Sequence, residues 1–143
     1  MDNYTSKEKE NIYSFKNNIE VKELNYSGCL FINCSNIYPK KKLYNLYISY
    51  FEECIFKAQE ISKKNNKKGI ICHINLENIR IKNFSMKFIK LLNNKINNNV
   101  LLEDSLDIAY FYYKNIITKK LYDFIYSIID KDTRKKYKLI KVE

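Results

Sequence analysis

Glycine and proline are almost missing, with two glycines and one proline in 143 residues. That scarcity excludes a sandwich built on tight turns, Gly- or Pro-rich linkers and low-complexity disorder. With Gly28 and Gly69 alone, neither a GxGxxG fingerprint nor a P-loop can be written, which argues against a nucleotide-binding doubly wound fold. Tryptophan is absent, and His73 is the only histidine. Cys29, Cys34, Cys54 and Cys72 include no CxxC pair, so a zinc site lacks clustered ligands and no metal or cofactor is expected. All four lie in apolar stretches (CLFINC, FEECIF, IICHI) and read as buried free thiols of a reducing compartment.

Long apolar runs and arginines are scarce as well. Residues 1–11 are polar where a signal peptide would carry its apolar core, and no run approaches the roughly 20 residues needed to span a bilayer. The expected location is cytoplasmic, transiently at membranes. The net charge is +10, yet Arg80 and Arg134 are the only arginines. Nucleic-acid recognition favours the forked guanidinium, so a lysine-based charge argues against such a partner. Runs such as KKNNKK (63–68) and NNN (97–99) read as solvated surface. What remains is an attraction to anionic surfaces, worth about 1 kcal/mol per well-placed Lys.

Present instead are short apolar runs alternating with longer periodic ones. Residues 28–34 (GCLFINC) follow a turn-like NYSG and read as a buried strand, with residues 22–27 able to pair with it as a hairpin. Leu43, Leu46, Tyr47, Tyr50, Phe51, Cys54, Ile55, Ala58 and Ile61 recur at threes and fours, predicting a helix over 39–64 with Pro39 in its first turn. A strand over 69–76 (GIICHINL), a helix over 84–97, an aromatic strand over 107–113 (DIAYFYY), a helix over 118–129 and a strand over 137–142 follow. The sum is β-α-β-α-β-α-β, a mostly parallel sheet covered by helices, in a single α/β domain over 21–143. Residues 1–20 read as an N-terminal arm or short helix.

No constellation for bond-breaking stands out. His73 sits mid-strand, where a structural histidine is expected. No serine lies in a GxSxG elbow, and no cysteine has an evident activating partner. Glu52-Glu53 and Glu103-Asp104 are adjacent, but neighbours on a helix point about 100° apart and a solvated face explains them. The expectation is a binding protein, not an enzyme.

The order of elements resembles the CRAL-TRIO lipid-binding domain family, from about Gly28 to Val142. The resemblance rests on a strand after a glycine turn, a long helix carrying YFEE (50–53), and a strand ending INLEN (74–78). Its most specific stretch is DSLDIAY (104–110), leading through Asn115 and an amphipathic helix to IDKDTRKK (129–136). There Asp130, Thr133 and Lys136 keep the family's Asp-x-x-Thr-x-x-Lys spacing. Asn75 and Asn78 depart from the family's Asp-Leu-x-Gly, and Asn115 stands where proline is usual.

The resemblance implies a cavity between one sheet face and a movable gate helix over 118–129. Ile70, Cys72 and Ile74 would line the wall, and Leu121, Phe124, Ile125 and Ile128 the gate. It also implies that Asp104, Thr133 and Lys136 hold a lipid headgroup, Asp104 accepting from inositol hydroxyls, Thr133 donating to phosphate and Lys136 supplying charge. Ile70 and Cys72 replace the hydroxyls that face phosphatidylcholine in such carriers, so that mode is not expected, and the headgroup residues of the resemblance imply a phosphoinositide. The residues themselves also allow a capping turn for Thr133, an exposed lysine in Lys136, and ordinary core for the gate stripe. A protein-interaction module that kept the fold and lost the cavity is the competing reading.

Overall fold

The computed structural model describes residues 3–102 and 104–143, apart from the side chain of Asn36. Five strands form one sheet in sequence order: β1 (Ile19–Leu24), β2 (Ser27–Asn33), β3 (Ile70–Asn75), β4 (Leu106–Tyr113) and β5 (Tyr137–Lys141). β1 runs antiparallel to β2, and β2 to β5 are parallel. The helices are α1 (Ser6–Asn17), α2 (Tyr44–Lys64), α3 (Met86–Asn97), α4 (Ile116–Ile128) and the single turn α5 (Lys131–Arg134). The mostly parallel α/β architecture expected from the alternating runs is present.

Strand order equals sequence order, and right-handed crossovers then place every connecting helix on the same face of the sheet. The packing agrees. Leu30 and Ile70 meet Cys54, Ile55 and Ala58 of α2 and Phe88 of α3, while Ala109 and Phe111 meet Leu121 and Tyr122 of α4. These contacts form two clusters, one under α2 and one under α4. Cys72 and Leu106, both half-buried, touch each of them.

Both glycines allow backbones to meet. A Cβ on Gly28 would lie 1.8 Å from the carbonyl oxygen of Ala58, so glycine lets α2 press onto β2. Ser62, buried near the end of α2, accepts from the Gly28 N–H at 2.8 Å and donates to the Gly69 carbonyl at 2.9 Å. One hydroxyl thereby ties the helix to the starts of two strands.

Several boundaries differ from the sequence reading. β1 starts at Ile19 and closes on β2 through a two-residue turn in which Asn25 and Tyr26 have φ of 52° and 68°. Both central residues are left-handed, as the twist of a tight hairpin demands. Asparagine accepts that region readily and tyrosine does not. α2 begins at Tyr44, after an extended segment that includes Pro39 and a 3₁₀ turn over Lys41–Leu43.

Residues 1–20 are no loose appendage where described. Thr5 and Glu8 form a capping box that starts α1, and Phe15, 1% exposed, stacks on Tyr47 at 3.9 Å between ring centres. The hydroxyl of Tyr47 donates to Asn11. This segment belongs to the main core.

The opposite sheet face carries no helix packed on it among the described elements. Phe31, His73 and Tyr110 lie in one cross-strand row there. Phe31 and His73 stack at 4.7 Å with 6° between planes, and His73 and Tyr110 at 5.2 Å with 17°. His73 Nδ1 is 2.7 Å from the Tyr112 hydroxyl, and burial lowers the imidazole pKa.

Candidate ligand cavity

A cavity of about 270 Å³ lies on the helix-covered face, at the seam between the two clusters. Leu30, Ile32, Ile70, Cys72, Ile74 and Phe111 form its floor, and α2, α3 and α4 supply its walls and roof. The three residues expected as wall, Ile70, Cys72 and Ile74, all line it. Burial pushes the thiols of Cys34 and Cys72 up to about 12, so both lining cysteines are uncharged at neutral pH. The result is an apolar surface.

The expected gate stripe divides. Ile125 lines the cavity, together with Ile129 just past the helix. Leu121 instead packs into the cluster of Phe111 and Tyr122, and Ile128 is half-buried outside the lining. Phe124 is 50% exposed, its ring 6.3 Å from that of Phe84, which does line the cavity. A stripe spaced at threes and fours is wider than the line of sight into one cavity, so only its edge faces inward.

The N-terminus of α4 is built by Asn115 and Thr118. Asn115 accepts from the Thr118 N–H at 3.0 Å, and the Thr118 hydroxyl accepts from the Asn115 N–H at 3.0 Å. Asn115, the departure from proline, is therefore the helix cap.

Asp104, Thr133 and Lys136 also all line the cavity, at the end where β4 and β5 begin. Their chemical availability differs. Thr133 donates its hydroxyl to Asp130 at 2.8 Å, and Asp130 accepts from the Thr133 N–H at 3.0 Å as the cap of α5. Partial burial raises the Asp130 pKa, but hydrogen bonds from Thr133 and Asn97 outweigh it and leave the carboxyl below its ordinary value. The Asp-x-x-Thr spacing is thus a capping turn. Lys136 forms no ion pair among the described residues, and Asp104 is exposed with a left-handed φ of 55°.

Ser105 went unnoticed in the sequence. It is 8% exposed and lines the cavity, and its hydroxyl has no hydrogen-bond partner among the described residues. Its position directly before β4, next to Asp104, was the available signal. At the far end the polar groups are already satisfied. Asn83 donates to the Ile37 carbonyl and accepts from the Arg80 N–H, while Ser85 accepts from the Phe88 N–H and bonds the Tyr44 hydroxyl.

Among solved structures, the chain is similar to Sfh5, a Sec14-family protein with the CRAL-TRIO fold. The TM-score is 0.68 at 13% identity, over 88% of this chain and 48% of that one. The likeness defines a CRAL-TRIO-like fold. This chain spans about half the length of the structure it matches. No family model and no curated protein sequence matches it. No helix among the described residues is long and apolar enough to cross a membrane.

Proposed function

We propose that this protein binds an amphipathic lipid in the cavity between the sheet and α4, without catalysing a reaction on it, for transfer or sensing at membranes. The carrying observation is the cavity itself: an apolar floor and roof with Ser105 and Lys136 free at one end. Hydrocarbon entering such a space gains about 0.8 kcal/mol per methylene removed from water. The likeness in fold to Sfh5 supports the reading. The cytoplasm, with passing contact at membranes, is the proposed site of action.

An inositol-phosphate headgroup suits the placement of Asp104 and Lys136, with Lys136 facing phosphate and Asp104 the inositol hydroxyls, whereas the Thr133 hydroxyl is already given to Asp130. Native mass spectrometry of the protein purified under non-denaturing conditions tests the proposal. A lipid adduct lost on delipidation is expected, and a chain that arrives empty and takes up no lipid from vesicles would refute it.

The second reading, a protein-interaction module, draws on the bare sheet face. His73 is sandwiched between Phe31 and Tyr110, and Lys22 lies over the Phe31 ring, so most of the ring faces in this row are occupied. Base stacking needs free ring faces, so the arrangement suits a protein surface better than single-stranded nucleic acid.

A further inference from the structure

Cavity size sets the cargo. An apolar protein cavity of about 150 Å³ holds benzene, so about 270 Å³ takes on the order of a dozen carbons. The two acyl chains of a phospholipid carry about 30 methylenes and need more than twice that space. β3, six residues long, gives the floor a length of about 20 Å, enough to lay one extended chain along it.

The direction of the cargo follows from which polar groups are free. Asn83 and Ser85, at the end near Ile37, already have partners for the groups they present. Thr133 is engaged by Asp130, and Asn97 donates to Asp130 as well. The Tyr137 hydroxyl and the Asn93 amide N–H groups also line the cavity unengaged among the described residues, while Ser105 and Lys136 stand together at the starts of neighbouring strands β4 and β5. Both can donate, and an ammonium with a hydroxyl donor suits an anionic acceptor. Asp104 is exposed at the same end, where water screens its charge.

Building on the lipid-binding reading, we infer that the cargo is a single-chain amphiphile with an anionic head, its carboxylate or phosphate held by Lys136 and Ser105 and its tail running toward Phe84 and Phe88. A free fatty acid and a lysophospholipid share that chemistry.

Titration calorimetry on the delipidated full chain separates these sources. Its arms are myristate, myristoyl lysophosphatidic acid, myristyl alcohol as the neutral control, and vesicles of diacyl phosphatidylinositol. At least one of the two anionic single chains should bind, and the one that does identifies the source. Lys136→Gln should weaken that binding by about tenfold or more and leave the alcohol unaffected. Ser105→Ala should weaken it by a few fold, and Lys136→Arg should restore most of the affinity. Far-ultraviolet circular dichroism checks that each variant is folded.

Equal binding of alcohol and acid, or affinities unmoved by Lys136→Gln and Ser105→Ala, would overturn the headgroup assignment. Uptake of diacyl phosphatidylinositol with no uptake of single chains would overturn the inference while leaving lipid binding intact. Uptake of nothing at all would remove both.

Discussion

Helices α2 and α4 cover the same face of the same sheet, yet they hold to it very differently. α2 buries eight of its 21 residues, including Tyr47 and Ala58, and ends in the Ser62 bridge to two strand starts. α4 buries three of 13 and leaves Ile116, Ile117 and Phe124 at least half exposed. Little apolar area and few long-range polar ties mark the elements of a fold that open first. One half of the covered face is packed tightly and the other more loosely, with the cavity between them. On the proposed function, ligand would enter on the α4 side, where the packing is weaker.

Gly28→Ala should break the tightly packed half outright. The new methyl group meets helix backbone, which cannot step aside as a flexible side chain would, and a loss of about 3 kcal/mol or more is expected in urea unfolding. Ser62→Ala strands a buried N–H and a buried carbonyl at once, for about 2 kcal/mol by the same measurement. On the more loosely packed side, Phe124→Ser removes a large aromatic yet should cost under about 1 kcal/mol, because half of that ring already faces water. A loss above about 2 kcal/mol would mean that α4 is anchored as firmly as α2. Hydrogen exchange sharpens the contrast: amides of α4 should exchange well before those of α2, and ligand should slow α4 most.

The smallest effect lies on the bare face. Burial holds the His73 pKa below its unfolded value, so the unfolded chain binds more protons between the two values. The stability that neutral His73 contributes is complete above about pH 6.5 and is lost as pH falls from there toward the lowered folded value. Thermal melts of the parent chain should decline over that window, and His73→Phe should flatten the decline.

Much of the fold was legible because runs of two kinds alternate along the chain. Residues 28–34 and 107–113 could pack only as strands, and the stripe from Leu43 to Ile61 only as a helix. α1 was obscured by its charged SKEKEN start, whose capping box becomes informative only when Phe15 is seen stacked on Tyr47. The shared face of Ile70, Cys72 and Ile74 was readable from the alternation along β3. The gate stripe was not, because periodicity marks a helix's apolar side without saying which part meets a neighbour and which meets a void. Thr133 shows the same limit: its spacing was visible, but its hydroxyl is occupied by Asp130. Ser105 was marked in the sequence only by its place next to Asp104, and the availability of its hydroxyl follows from three-dimensional placement.

The seam has one more consequence, in mechanical terms. Two clusters joined through little more than Cys72 and Leu106 flank a half-open space that the chain does not fill. Eliminating such a void shrinks the system when the protein unfolds, so hydrostatic pressure favours the unfolded form. The empty protein should therefore be more pressure-sensitive than the loaded one. A pressure ramp followed by intrinsic tyrosine fluorescence would report occupancy without a label.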